Sequence, residues 1–498
     1  MLPSAGMISR ETAVSFWLST HVYLPNFTHV HFPTFTHVQL PTFACRFPSG
    51  QQFLFAQPES QQTEHAMSIT LNSSSEIPWW KEPSKEQWKA WIAAWLGWTL
   101  DAFDFTIFLL IMVPIAKEFD VPLTAVTAVF TITLWLRLVG ATAAGWMADR
   151  MGRKAPLMIS ILWYSLCNFI AGFSPTFAFL FFFRALLGIG MGAEWPAGAA
   201  LAMESWPARS RGFMSGILQG SWGLGFALSA VAYGFLFDLI GWRGLLWIGI
   251  LPAFAVLWIR YYVKEPVVWV ENKRIQRETK AEVKAPLFSI FKRGVLFNTL
   301  TACLWMGSAF CVYYSIWALF STYLQKELNW SPLMVAKPLF WANIVVFAGS
   351  ALWGLVSDRW GRRPGIIVPA TIAIFVTPLY LWTLDPTYIV GGFILQGIFG
   401  GSIYGQNPSY LAERFPTEVR ATASGFVYHQ GAIWGGLIAP VLTYMAVQMN
   451  MGFAMPMMIS TMLFLVIVVI SVLLGPETRG KRLTADLEIV EGAALPAT

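Results

Sequence analysis

The sequence predicts an all-α membrane protein of twelve transmembrane helices in two pseudo-symmetric six-helix halves. Composition points there first. Of 498 residues, 56% are hydrophobic and 12% charged, where a soluble domain carries about a quarter charged; there are too few polar side chains to cover a soluble globule of this length. Span length comes second. Apolar stretches recur between Trp91 and Leu474, each near the roughly 20 residues a helix needs to cross the hydrocarbon core, whereas a barrel would show short alternating strands. Third, two separate motifs repeat at one common offset, described below.

Residues 1–66 differ from the rest. They repeat LPNF, FPTF and LPTF, hold five of the six histidines, and lack the apolar core and small-residue cleavage site of a signal peptide. We read them as a low-complexity extension rather than a metal-binding tract. Met67, close before the first span, is a second candidate start, and translation from it would omit the extension. Residues 67–263 form the N-terminal six-helix half, with spans near 91–116, 123–147, 156–173, 177–200, 213–236 and 244–263. Residues 264–296 are a basic linker rich in Lys and Arg. Residues 297–475 form the C-terminal half, with spans near 297–324, 334–355, 365–384, 388–411, 425–447 and 453–474, and 476–498 are the tail.

The net charge of +6 does not gather on one soluble face, which argues against a nucleic-acid partner. Lys and Arg collect in alternate loops: 149–154, 204–211, 264–293, 358–363, 413–420 and 479–482. By the positive-inside rule these loops and both termini face the cytoplasm, and the expected location is the plasma (inner) membrane. The four cysteines are scattered, with no CxxC pair, so neither a disulfide framework nor a metal site is expected; no cofactor is implied either.

The repeat orders the second half on the first. Gly145, Asp149, Arg150, Gly152 and Arg153 of GWMADRMGRK match Gly354, Asp358, Arg359, Gly361 and Arg362 of GLVSDRWGRR at an offset of 209 residues. The same offset carries Glu204, Pro207 and Arg211 onto Glu413, Pro416 and Arg420. Parallel halves of this kind are related by an axis along the membrane normal. GxxxDRxGR[KR], present twice, resembles the signature of the major facilitator superfamily, and the resemblance runs from Trp88 to Arg482. It implies a conformational latch: the aspartates accept hydrogen bonds from a neighbouring helix end, the arginines pair with carboxylates, and Gly145 and Gly354 permit close helix approach.

Charges inside spans cost roughly 2.5 to 3.5 kcal/mol each on insertion scales, which makes each a functional candidate. Asp101 and Asp104 of WLGWTLDAFDF lie on neighbouring positions of one helical face. Two carboxylates that close cannot both ionise cheaply in a dry site, so Asp104 is the primary proton-site candidate and Asp101 the second. Arg137 lies near mid-bilayer and requires an anionic partner: Asp101, Asp104 or a substrate carboxylate held by its two-pronged donor. In RALLGIGMGAEW, Arg184 with Gly188 and Gly192 resembles the proton-coupling motif of the superfamily's symporters, and Glu194 is a second protonatable group. From the other half come Gln406, Asn407, Tyr428 and His429, the last equipped to donate to an anion or to titrate. Trp95, Trp98, Tyr313 and Tyr314 are assigned to packing or interface belts.

WLGWTLDAFDF, Arg137, GAEW followed by ESWP, and GWRGLLWIGILPAFAVLWIR together resemble the sialate:proton symporter family, which includes lactate and pyruvate permeases. The resemblance implies import of a small organic anion with a proton by a monomeric transport unit in the lipid bilayer. The lactate-permease signature of the seventh span is absent, since Asn298 and Thr301 are followed by Ala302, Cys303 and Leu304. Aromatic-acid:proton symporters share the paired-Asp first span and remain an alternative, as do a neutral-solute carrier and a non-transporting receptor. No GxSxG, HExxH or P-loop occurs in its required context, so no enzyme activity is expected.

Overall fold

A computed structural model describes residues 78–280, 286–330 and 332–486; the N-terminal extension and the last residues of the tail lie outside the described residues. The first half comprises α1 (Lys85–Glu118), α2 (Leu123–Met151), α3 (Lys154–Ala171), α4 (Phe177–Ser205), α5 (Arg211–Ile248) and α6 (Pro252–Tyr262). Two linker helices follow, α7 (Val267–Glu278) and α8 (Pro286–Ser289). The second half holds α9 (Arg293–Trp317), α10 (Phe320–Lys326), α11 (Pro332–Trp360), α12 (Arg362–Leu381), α13 (Pro386–Gln396), α14 (Asn407–Arg414), α15 (Arg420–Val447) and α16 (Ala454–Leu474).

Local chemistry sets the helix ends. Ser84 starts α1 with a capping box: its hydroxyl accepts from Gln87 N at 3.3 Å, and the Gln87 side chain accepts from Ser84 N at 2.7 Å. A left-handed Gly241 (φ 64°) breaks α5 and turns the chain from the fifth span into the sixth. In the tenth span, α13 gives way to a π-turn at Gly397–Gly401 and a 3₁₀ turn at Ser402–Gln406 before α14. Ten of the described helical segments are long and apolar enough to cross a bilayer. The first arm of α5 and the 28-residue α15 are of matching length, which is consistent with twelve crossings. Large apolar side chains such as Phe182, Phe254 and Phe375 stand more than half exposed on the outer surface, as a lipid-facing wall requires.

The halves meet chiefly through α5 against α11 and α2 against α15. Gly145 and Gly354 make the approach possible. A Cβ on Gly145 would lie 2.6 Å from Thr422 Cα, and one on Gly354 would lie 2.3 Å from Gly212 O.

The pseudo-symmetry extends to a third repeat. AKEFD at 116–120 and QKELN at 325–329 share the 209 offset, and Asp120 (φ 50°) and Asn329 (φ 54°) adopt the same left-handed turn. Glu118 of the first turn accepts from Trp242 Nε1 and from Arg243; Glu327 of the second accepts from Phe453 N. Each carboxylate thus ties the first span of its half to the start of the last, at the end away from the basic loops.

Candidate functional site

At the basic end, the duplicated motifs build duplicated ion-pair clusters. Asp149 accepts from Arg153 Nη1 at 2.8 Å and, across the interface, from Ala421 N and Thr422 N at 3.1 and 2.8 Å. Asp358 accepts from Arg362 Nη1 at 2.7 Å and from Gly212 N and Phe213 N, both at 2.8 Å. Each aspartate therefore satisfies the orphan amides that begin a helix of the opposite half, where the helix dipole favours a negative charge. Glu204 accepts from Arg153 Nη2 and from Arg420 Nη1, each at 2.7 Å. Glu413 accepts from Arg362 Nη2 at 2.9 Å and from Arg211 Nη1 at 3.1 Å. Every one of these partnerships maps onto its mate by the 209 offset.

Two members of the motif stand apart. Arg150 lies over the Trp146 ring at 5.2 Å, and Arg359 is exposed; neither makes an ion pair among the described residues. One residue past an aspartate is about 100° around the helix, which turns these side chains away from the interface. The expectation that they pair with carboxylates is corrected accordingly.

Gly152 and Gly361 hold φ of 109° and 118°, where a side chain is strained. Beside them, Glu265 accepts from Arg153 N and Lys154 N at 2.7 and 2.9 Å, and Glu477 accepts from Arg362 N and Arg363 N at 2.8 and 3.0 Å. Sequence reasoning missed these two glutamates; their signal was a Glu-Pro and a Pro-Glu step just after the last span of each half. Burial raises the Glu265 carboxyl above its ordinary range, against the pull of the two amides.

Between the halves lies a cavity of about 740 Å³ including its mouth. From the first half, Trp98, Arg137, Gln219 and Trp222 line it; from the second come Phe310, Tyr313, Tyr314 and Trp317 on α9, Asn343 and Ser350 on α11, Tyr404 after the π-turn, and Tyr428 and His429 on α15. Aromatic rings form most of the wall. Trp98, Tyr313 and Tyr314 were assigned to packing or interface belts and instead face this space, because they lie on helix faces turned toward the pseudo-axis. Trp95 alone behaves as expected, half-buried and stacked on Trp91 at 6.4 Å.

The repeat held an unused signal for this wall as well. The 209 offset carries Asp101, Asp104 and Phe105 onto Phe310, Tyr313 and Tyr314, and Gln219 onto Tyr428. Gln219 and Tyr428 meet at the pseudo-axis, where Gln219 Nε2 donates to the Tyr428 hydroxyl at 3.1 Å. Trp195 stacks on Tyr428 at 4.0 Å and donates to Gln219 Oε1 at 3.1 Å. Gln219 lies eight residues into α5, about 12 Å from its basic end, while Arg137 lies about 21 Å up α2. The Trp195–Gln219–Tyr428 group thus forms the floor of the cavity toward the ion-pair clusters.

Arg137 is the one fully charged group on the wall. Its Nη2 donates to Asp101 Oδ2 at 2.5 Å, and its guanidinium lies 5.0 Å from the Phe105 ring centroid and 5.4 Å from that of Trp222. Of the partners open to it in the sequence, Asp101 is the one the structure supplies. Arg137 Nε and Asp101 Oδ1 remain without hydrogen bonds, so the pair has unused capacity.

Asp104 turns elsewhere. Its polar neighbours are Asn168 on α3 and Arg184 on α4; neither makes a hydrogen bond of ordinary geometry with it, and Arg184 Nη1 donates to Asn168 Oδ1 at 3.0 Å. The two acids of α1 thus face two different arginines, and Asp104 stands behind the wall rather than on it. Gly188 and Gly192 let α4 close on α2, with added Cβ atoms only 2.4 Å from Thr133 O and 2.0 Å from Arg137 O. Glu194 borders a separate small chamber.

His429 Nδ1 sits 3.1 Å from Gly425 O, an acceptor only, so in the neutral ring Nδ1 carries the proton and Nε2 is a free acceptor. Ser350 Oγ and the Tyr404 hydroxyl also lack partners. Gln406 and Asn407, expected at the substrate, are buried off the cavity wall. The π and 3₁₀ turns before them rotate the chain relative to a continuous helix, so the cavity receives Tyr404 instead.

Comparison with known proteins agrees with this architecture. The sequence profile of the Major Facilitator Superfamily matches residues 94–343 and 308–490. A probable 4-methylmuconolactone transporter of Cupriavidus pinatubonensis is 32% identical over 81% of this chain and 93% of its own length. The sialic acid transporter NanX of Escherichia coli is 28% identical over 80% of this chain and 94% of its own. Among solved structures, the proton:xylose symporter XylE superposes with a TM-score of 0.62 at 16% identity, over 80% of this chain and 97% of XylE. With its twelve-helix pseudo-symmetric body, duplicated signature and these relatives, the chain belongs to the Major Facilitator Superfamily of membrane transporters.

Proposed function

We propose that this protein is a proton-coupled symporter that imports an organic carboxylate by alternating access, with the basic loops and both termini in the cytoplasm of the plasma (inner) membrane. The observation that carries this reading is the buried Arg137–Asp101 pair, whose arginine lines the central cavity. A substrate carboxylate competes with Asp101 for the guanidinium. Displaced into a low-dielectric space, Asp101 is poised to take a proton, with Asp104 and Arg184 behind it as the neighbouring exchange pair. Substrate and proton then favour one another, because either alone leaves an uncompensated charge that opposes movement of the halves. The ion-pair clusters around Asp149, Glu204, Asp358 and Glu413 act as the latch of the state closed toward the cytoplasm.

The sialate, lactate and pyruvate of the resembling family remain substrate candidates, and the sialic acid relative supports the first. A second reading, an aromatic-acid:proton symporter, is favoured by the wall itself. Trp98, Trp222, Phe310, Tyr313, Tyr314 and Trp317 offer stacking surface, while a polyhydroxylated acid needs more hydrogen-bonding groups than Gln219, Asn343, Ser350, His429 and the tyrosine hydroxyls present. Titration of the purified protein with 4-hydroxybenzoate, lactate, pyruvate and sialate, followed by fluorescence of the cavity tryptophans, tests both readings. Saturable quenching by one acid, weakened when the buffer is made alkaline, is the expected result. Absence of any saturable response would overturn the carboxylate reading.

A further inference from the structure

We infer that transport is electroneutral, with one proton accompanying each monocarboxylate, and that Glu194 holds a resident proton that stays on the protein throughout the cycle. This rests on the symport reading above and adds its stoichiometry. The charge inventory of the buried core carries it. At the basic end, the carboxylates of Asp149, Glu204, Asp358 and Glu413 are matched by Arg153, Arg211, Arg362 and Arg420; the other buried charges there, Lys273, Arg414 and Glu418, lie on the linker and around the end of α14, away from the middle of the bundle. The middle of the first half is not balanced: Asp101, Asp104 and Glu194 stand against Arg137 and Arg184, all at most 5% exposed.

The unmatched acid is identified by its surroundings. Asp101 has Arg137 and Asp104 has Arg184. Glu194 borders a small chamber walled by Ala94, Trp98, Trp195, Gly198 and Leu218, with no cation on the wall and with Oε2 lacking any hydrogen bond. The charged and titratable groups acting on it are Asp101 and Arg137, Tyr164 on α3, and His429 beyond the Trp195 ring. The cation acting on it, Arg137, is already paired with Asp101, so the proton that neutralises the empty core belongs on Glu194.

Loading then adds one negative charge at Arg137, and one proton on Asp101 or Asp104 restores neutrality. The empty and the fully loaded forms both cross with zero net core charge, and what is moved is one anion and one proton.

The full chain in proteoliposomes, offered labelled 4-hydroxybenzoate, lactate, pyruvate and sialate, tests this. An inward proton gradient at clamped zero potential should concentrate the accepted acid about tenfold per pH unit. A potassium diffusion potential without a pH gradient should concentrate none. A slope near a hundredfold per pH unit, or accumulation driven by potential alone, overturns the stoichiometry while leaving symport intact; a net charge would respond to 100 mV by roughly fifty-fold. Failure of the pH gradient to concentrate any of the four acids overturns the symport reading, and this inference with it. Infrared spectra of purified protein give an independent readout: the protonated-carboxyl band removed by Glu194→Gln should be present on both sides of neutral pH and unmoved by substrate. Its loss on loading would place Glu194 among the exchanging groups instead.

Discussion

Arg137 Nη2 lies 2.5 Å from Asp101 Oδ2, with the Phe105 and Trp222 rings against the guanidinium and the central cavity beside it. Lysine keeps the charge at this position but loses the planar fork that can hold a carboxylate while releasing Asp101. Arg137→Lys should therefore weaken carboxylate binding by about ten- to a hundredfold, the value of one or two charge-assisted hydrogen bonds. Tryptophan fluorescence titration of both proteins checks this, and unchanged affinity would remove two-pronged recognition from the account.

Asp104 faces Arg184 and Asn168 behind the wall, clear of the substrate space. Asparagine fills the same volume without a titrating proton. Asp104→Asn should lose gradient-driven accumulation while retaining counterflow exchange across the membrane. Uphill uptake by this variant would remove Asp104 from the proton path and leave Asp101 as its only carboxylate.

Glu204 is shared between Arg153 of its own half and Arg420 of the other. Removing one partner from a buried ion cluster costs about 3–5 kcal/mol, and here the cost falls on the state closed at the basic end. Glu204→Gln should shift the protein toward the cytoplasm-open form, seen as faster labelling of a cysteine at Ser350 from that side. Glu413→Gln should do the same through the pseudo-symmetric site.

Glu118 offers a pH test at the opposite end. Burial pushes its carboxyl up, but hydrogen bonds from Trp242 and Arg243 outweigh this and hold it below the ordinary glutamate range. A depressed folded value contributes stability above the unfolded value of about 4.3, and that stability is lost as pH falls through the folded value. Glu118→Gln should melt below the wild type at neutral pH, and the two melting temperatures should converge in acid below about pH 4. A gap that persists there would assign the clamp to packing rather than to charge.

Much of this was legible in the residues because the gene-scale repeat writes each contact twice. Asp149 with Asp358 and Glu204 with Glu413 are readable from one offset, and hydropathy supplies the spans around them. Which way a side chain turns was harder to read. Arg150 and Arg359 differ from Arg153 and Arg362 only by position around a helix, and the interface that selects among them forms between segments distant in sequence. Gln406 and Asn407 were misplaced because a count of α-helical turns fails across the π and 3₁₀ turns at 397–406. The aromatic wall was overlooked because rings at helical spacing in an apolar span look alike whether they meet lipid, another helix or a cavity.

Proton-coupled carboxylate import is tested by uptake into proteoliposomes under an imposed pH gradient, with labelled lactate, pyruvate, sialate and 4-hydroxybenzoate offered in parallel. An inward proton gradient should drive one of these acids above its external concentration, and collapsing the gradient with a protonophore should abolish the accumulation. Uptake that only equilibrates regardless of the gradient, or no uptake of any of the four, would contradict it.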